Sequence, residues 1–205
     1  MLEDWVTARS LARALPAPVR DRGGLRVDTG SDVERCRYVF LDAEAAFGAA
    51  ARAIDAPRVF LKACADPAAV LAVAPPRWTI QSVAWMMLQD ARCDDAGPEI
   101  PPGYALEVTM IDGVALATVV AADGTQAARG YACVSGGVYC YDRIVTEAAH
   151  YRRGLGRAVM QALGRAQVDR DACRMLAATD AGRALYETLG WRVVAPYTTI
   201  EIAEV

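Results

Sequence analysis

The stretch that decides the fold is 138–166, VYCYDRIVTEAAHYRRGLGRAVMQALGRA. Its opening run, Val138–Thr146, is rich in β-branched and aromatic residues and predicts a strand. Leu155, Val159, Ala162, Leu163 and Ala166 recur at helical spacing and predict a helix. Between the two lies Tyr151-Arg152-Arg153-Gly154-Leu155-Gly156-Arg157. Gly154 and Gly156 remove side chains where strand gives way to helix, so several backbone N–H groups can converge on one bound group. A helix N-terminus also carries about +0.5 of an elementary charge, and three arginines flank this one. The local chemistry is that of an anion site, and a phosphate fits it best.

Two common phosphate loops fail on their residues. A dinucleotide fingerprint needs a third glycine, where this chain has Val159. A P-loop needs Gly-Lys-Ser/Thr, which is absent. The run instead resembles the acyl-CoA loop of the GNAT acetyltransferase superfamily, Gln/Arg-x-x-Gly-x-Gly/Ala after a splayed strand. Gly154-Leu155-Gly156 fits its last three places, and Tyr151 stands where Gln or Arg is usual. Further on, 177–191 reads AATDAGRALYETLGW. Asp180 is expected to cap a helix, Ala184, Leu185 and Leu189 to form its buried stripe, and Gly190 to stop it. This segment is similar to the GNAT helix A-x-x-L-Y-x-x-x-G-W/F. The resemblance spans residues 104–205.

Composition narrows the remaining classes. The chain is 54% apolar, yet no apolar run is long enough to span a bilayer. MLEDWVTARSLARALP at the start reads as an amphipathic helix, with Trp5, Ala8, Leu11 and Leu15 on one side, and lacks the features of a signal peptide. A cytoplasmic protein without a membrane partner is expected. Net charge is −3 and the basic residues are scattered outside the glycine loop, which argues against a nucleic-acid platform. Lys62 is the only lysine. Six cysteines without a C-x-x-C pair and a single histidine, His150, leave little to hold zinc, so no metal is expected.

Taken in order, the rest reads as an α/β (α+β) chain. A short strand is expected at 25–27. Ser31 is expected to cap a helix from Asp32, and a second helix to fill 42–54. Strands follow at 58–64 and 79–88, separated by a short helix opening at Asp66-Pro67. The proline- and glycine-rich run 94–103 marks a boundary, giving an N-terminal α/β region at 1–98 and a second domain at 99–205. Beyond it, Asp112-Gly113, Asp123-Gly124 and Gly136-Gly137 punctuate a meander of strands. Two last strands are expected at 191–195 and 197–202, broken by Pro196.

The resemblance implies a GNAT fold: a mixed, mostly antiparallel twisted sheet flanked by helices. Here Asp112-Gly113 leaves no room for the two helices that the family sets between its first strands. Either the helices expected at 32–54 fill that role, with the first strand near Leu25, or, in the preferred layout, residues 1–98 form a degenerate companion half on the acceptor side. Its acids Asp32, Glu34, Asp42 and Glu44, with Phe40 and Phe47, are expected to meet a cationic amine. The implied activity is transfer of an acetyl group from acetyl-CoA to a primary amine of a small molecule or peptide. Backbone groups of Ile144, Val145 and Thr146 would hold the pantetheine. Tyr151, Arg152, Arg153, Gly154, Leu155, Gly156, Arg157 and Asp180 would complete the CoA site. Tyr186 falls on the family's general-acid tyrosine and also touches the cofactor. Asp142, sharing side-chain parity with Ile144 and Thr146, is the candidate base, with Glu107, Glu147 and His150 as rivals. A homodimer is left open. So are a CoA-binding sensor without catalysis and a regulatory half of a larger assembly.

Overall fold

The computed structural model describes residues 1–89 and 97–203. The first half runs α1 (Leu2–Leu11), β1 (Val19–Asp21), β2 (Gly24–Asp28), β3 (Cys36–Phe40), α2 (Ala45–Ala53), β4 (Val59–Ala63), α3 (Pro67–Val73) and β5 (Trp78–Gln89). The second runs β6 (Tyr104–Ile111), β7 (Val114–Ala121), β8 (Gln126–Ser135), β9 (Val138–Thr146), α4 (Leu155–Arg165), β10 (Cys173–Ala178), α5 (Asp180–Glu187) and β11 (Arg192–Ile202). All eleven strands form one sheet, in the order β1-β2-β3-β4-β11-β5-β10-β9-β8-β7-β6. It is the mixed, mostly antiparallel sheet flanked by helices that the sequence leads one to expect.

The sheet reads similarly from both edges. Each half contributes a meander, then a parallel pair joined through a helix: β3 and β4 around α2, β9 and β10 around α4. The last strand of each half then crosses over. β11 lies against β4, β5 lies against β10, and the two pair with each other at the centre.

The two parallel pairs differ in one respect. β3 and β4 pair along all of 36–40 and 59–63. β9 and β10 pair only at 138–140 with 173–175, and then separate. β9 keeps its other neighbour, β8, but carries one extra residue opposite Gly130, where Arg143 takes a φ of +52°. Such a bulge bends and twists its strand. A Cβ on Gly130 would stand 2.5 Å from Ile144 Cδ1 and 2.7 Å from Val159 Cγ1. The bare backbone there lets both Ile144 and α4 settle onto the sheet.

Three expectations need correction. The helix from Asp32 is β3, preceded by a turn in which Ser31 Oγ accepts the Glu34 N–H at 2.9 Å. All five β3 residues are buried, so the strand has no polar alternation to betray it. The second expected helix starts only at Ala45, because Asp42 Oδ1 instead accepts the Glu44 N–H in a local turn. Finally, β11 passes through Pro196 without a break and absorbs a bulge between Val193 and Ala195. β4 pairs with β11 only from Thr198 onward, so at Pro196 one edge has no partner to be denied an N–H. Of the expected boundary loop, 94–96 lie outside the described residues, and 97–103 form neither helix nor strand. No helix of the described residues is long and apolar enough to cross a membrane.

Candidate active site

Where β9 and β10 part, a groove of about 870 Å³ opens between β9, α4 and α5. Ile144, Val145 and Thr146 form one wall, and Thr179, Gly182, Leu185, Tyr186 and Thr188 the other. One end is the N-terminus of α4. Gly154 caps it in the left-handed region (φ +78°), and Arg152 is left-handed too (φ +61°). The first N–H groups of a helix have no intrahelical partner, and here they face the groove. Gly156 keeps that approach open, since a Cβ there would stand 3.1 Å from Leu185 Cδ2 and 3.6 Å from Thr146 Oγ1.

The predicted loop residues are brought together with two exceptions. Tyr151, Arg152, Gly154, Leu155, Gly156 and Arg157 all line the groove. Arg153 does not; its guanidinium donates to Tyr104 Oη at 2.7 Å, and the same phenol lies 2.9 Å from His150 Nδ1. Asp180 is also turned elsewhere. It accepts from Trp85 Nε1 at 2.6 Å, while the cap of α5 is Thr179, whose hydroxyl accepts the Gly182 N–H at 3.2 Å. Arg157 donates to Thr188 Oγ1 at 2.9 Å across the groove.

A second cavity, of about 290 Å³, lies on the far side of Tyr186. Ile144, Thr179 and Tyr186 line both spaces, so the two meet at the tyrosine. Tyr186 is only 7% exposed. Burial, with Asp142 nearby, pushes its phenol up to about 12.

Asp142 belongs to this second cavity and is fully engaged. Arg13 grips it with two bonds, of 2.6 and 2.9 Å, and Arg9 Nε adds a third at 3.3 Å. Burial alone would raise the carboxyl, but the two arginines outweigh it and hold it below the ordinary range. Both arginines come from the N-terminal helix region, which packs on β8 and β9. The acids expected to face an amine are not there. Glu34 pairs with Arg37 at 2.5 Å, and Phe40 meets Phe47 edge to face in a separate core. Sequence reading missed Arg9, Arg13, Lys62, Tyr197 and Thr199. The one available signal was Lys62, a single lysine inside an otherwise apolar strand.

Residues 115–193 match the family model described as the acetyltransferase (GNAT) domain. That stretch is similar to a GNAT acetyltransferase domain. Solved structures of GNAT proteins share the fold, two of those below over nearly the whole length. A GCN5-related N-acetyltransferase from Kribbella flavida superposes with a TM-score of 0.66 at 18% identity, covering 98% of this chain and 95% of the other. A putative GNAT-family acetyltransferase from Novosphingobium aromaticivorans gives 0.60 at 17%, with 99% of each chain covered. A tandem GNAT protein from the clavulanic acid biosynthesis pathway gives 0.56 at 17%, covering 78% of this chain and 70% of its own. No match is found among curated proteins. Within the matched residues 115–193, the groove lies where β9 and β10 separate, and it ends on the α4 N-terminus. Among the described residues no group of acids, histidines and cysteines could hold a metal ion.

Proposed function

We propose that the chain is an acyl-CoA-dependent N-acyltransferase that uses acetyl-CoA, with Tyr186 as the general acid. Acetyl-CoA supplies the acyl group as an activated thioester. The groove fits it on one observation above all: at Gly156 a Cβ would fill the cradle between α4, α5 and β9. The N–H groups at 154–157, with Arg152 and Arg157, receive the pyrophosphate charge. The backbone of Ile144, Val145 and Thr146, released from β10, offers its free groups to the pantetheine amides.

Tyr186 carries the catalytic reading because it is the buried donor common to both cavities. Its raised pKa keeps the phenol protonated through the neutral range. It can therefore donate to a leaving sulfur. One proton moves from the amine nitrogen to the sulfur in the complete reaction, and the phenol is restored. We assign Asp142 to holding Arg9 and Arg13, because a carboxylate with three charge-assisted bonds is a weak base.

The first half serves as the acceptor side. It is a companion half that retains the sheet order and has lost the groove. β3 and β4 do not splay, and Asp42 and Glu44 precede α2 where the second half carries Arg152, Arg153 and Gly154. Calorimetry with CoA, followed by CoA release from acetyl-CoA across an amine panel, tests the proposal. Tight CoA binding with no release from any amine would overturn the catalytic part.

A further inference from the structure

The acyltransferase reading leaves the acceptor's chemistry open, and the inference drawn here rests on that reading. We propose that the acceptor is an amine that itself carries an anionic group, a carboxylate or a phosphate, held in the second cavity by Arg9, Arg13 and Lys62.

The cavity lining is strongly basic. Arg9, Arg13, Arg143 and Lys62 all line it, against one acid, Asp142. A single carboxylate cannot balance three arginines and a lysine. Arg143 is partly accounted for, since it donates to the Ala12 carbonyl and stacks on Tyr131 at 3.9 Å. Arg9 and Arg13 keep further N–H donors beyond those given to Asp142. Glu34 does not line the cavity; its Oε2 pairs with Arg37 at 2.5 Å, while among the described residues its buried Oε1 has no partner.

Lys62 lies buried beside these arginines. It is 9% exposed, and its ammonium donates to Thr199 Oγ1 at 3.2 Å. Burial, with Arg9, Arg37 and Arg13 adding to it against Glu34, brings its pKa down to about 7. Tyr197 lines the same cavity, and among the described residues its buried hydroxyl has no partner. The site thus combines an unsatisfied donor, spare guanidinium N–H groups and a lysine poised to regain its proton. An anion answers all three, whereas a purely cationic amine would be repelled. At about 290 Å³ the space suits a ligand of amino-acid size. With the anion seated among these residues, the amine end would point to Tyr186, where the cavity meets the groove.

Because Lys62 is the only lysine, isotope-labelled lysine gives one side-chain NMR signal for the whole chain. With CoA bound, the signal is titrated against α-amino acids and phosphoethanolamine, and against amino-acid amides and putrescine. At least one anionic amine should shift it and raise its midpoint by about one unit, with amides and putrescine inert. The carboxylate and phosphate arms identify which anion is used. The same panel, run for CoA release, should favour the anionic amines. Arg13→Gln should raise their KM at least about tenfold and leave CoA affinity unchanged. A Lys62 response to amides or putrescine equal to that of the anionic amines would overturn the proposal, as would no response to any anionic amine. Transfer to amides or putrescine without preference would overturn it too, and leave the acyltransferase intact. A Lys62 response without CoA release from any amine would uphold the anion site and sink the transfer reading.

Discussion

At Gly156 one added carbon would stand within contact distance of Leu185 and Thr146, on opposite walls of the groove. Gly156→Asp adds a carboxylate as well, so CoA binding should disappear from a protein that still folds. Calorimetry alongside circular dichroism checks both halves of that statement. Tyr186→Phe removes only a donor. Turnover should fall by roughly 10²–10⁴-fold, the range for general acid catalysis, while acetyl-CoA affinity holds. Equal rates for the two proteins would return Tyr186 to the core. Lys62 yields a pH prediction. Its folded pKa is depressed to about 7, so between there and its ordinary value the unfolded chain binds more protons. Its contribution should make the protein more stable as pH rises through that window. Lys62→Met should flatten the rise, as read by urea unfolding at a series of pH values. The glycine loop was legible because its residues are contiguous. The second cavity was not, because positions 9, 13, 62, 142 and 197 meet only through the fold.

Elements depend on close approaches that pattern alone does not reveal. Gly130 sits under α4, where a methyl group would collide with Ile144 and Val159. Gly130→Ala should lift the helix and disturb the bulge, costing about 1–3 kcal/mol as overpacking does. The midpoint of urea unfolding measures it. The second-half meander could be read because its turns are marked by Asp-Gly and Gly-Gly pairs and its strands alternate. β3 could not: it is buried on both faces, Arg37 included, and five buried residues fit a helix as well as a strand. Thr179 took the cap from Asp180 because either residue can cap a helix, and only the Trp85 indole decided which did.

The whole molecule is bound together by the exchange of β5 and β11. β5 stands between β10 and β11, pairing with 174–178 on one side and with β11 on the other. A fragment covering 97–205 lacks that strand, as well as Arg9, Arg13 and Lys62. It should fail to fold as a soluble monomer. A monomeric fragment with native circular dichroism and full turnover would show that the first half takes no part. The crossing of the strands was invisible in the sequence, because nothing local distinguishes a strand that stays in its own half from one that leaves it.

That exchange also sets an order of events during synthesis. β4 pairs with β3 as soon as both have emerged, but its other edge waits for Thr198–Ile200, more than 130 positions later. The first half therefore leaves the ribosome with an open, hydrogen-bonding edge that no strand of its own pairs with in the finished sheet. Until β11 is released, the nascent chain offers that edge to any passing strand. A premature stop before β11 would lock the exposed edge in place, so such truncated chains should be found with chaperones or in aggregates rather than as half-active protein.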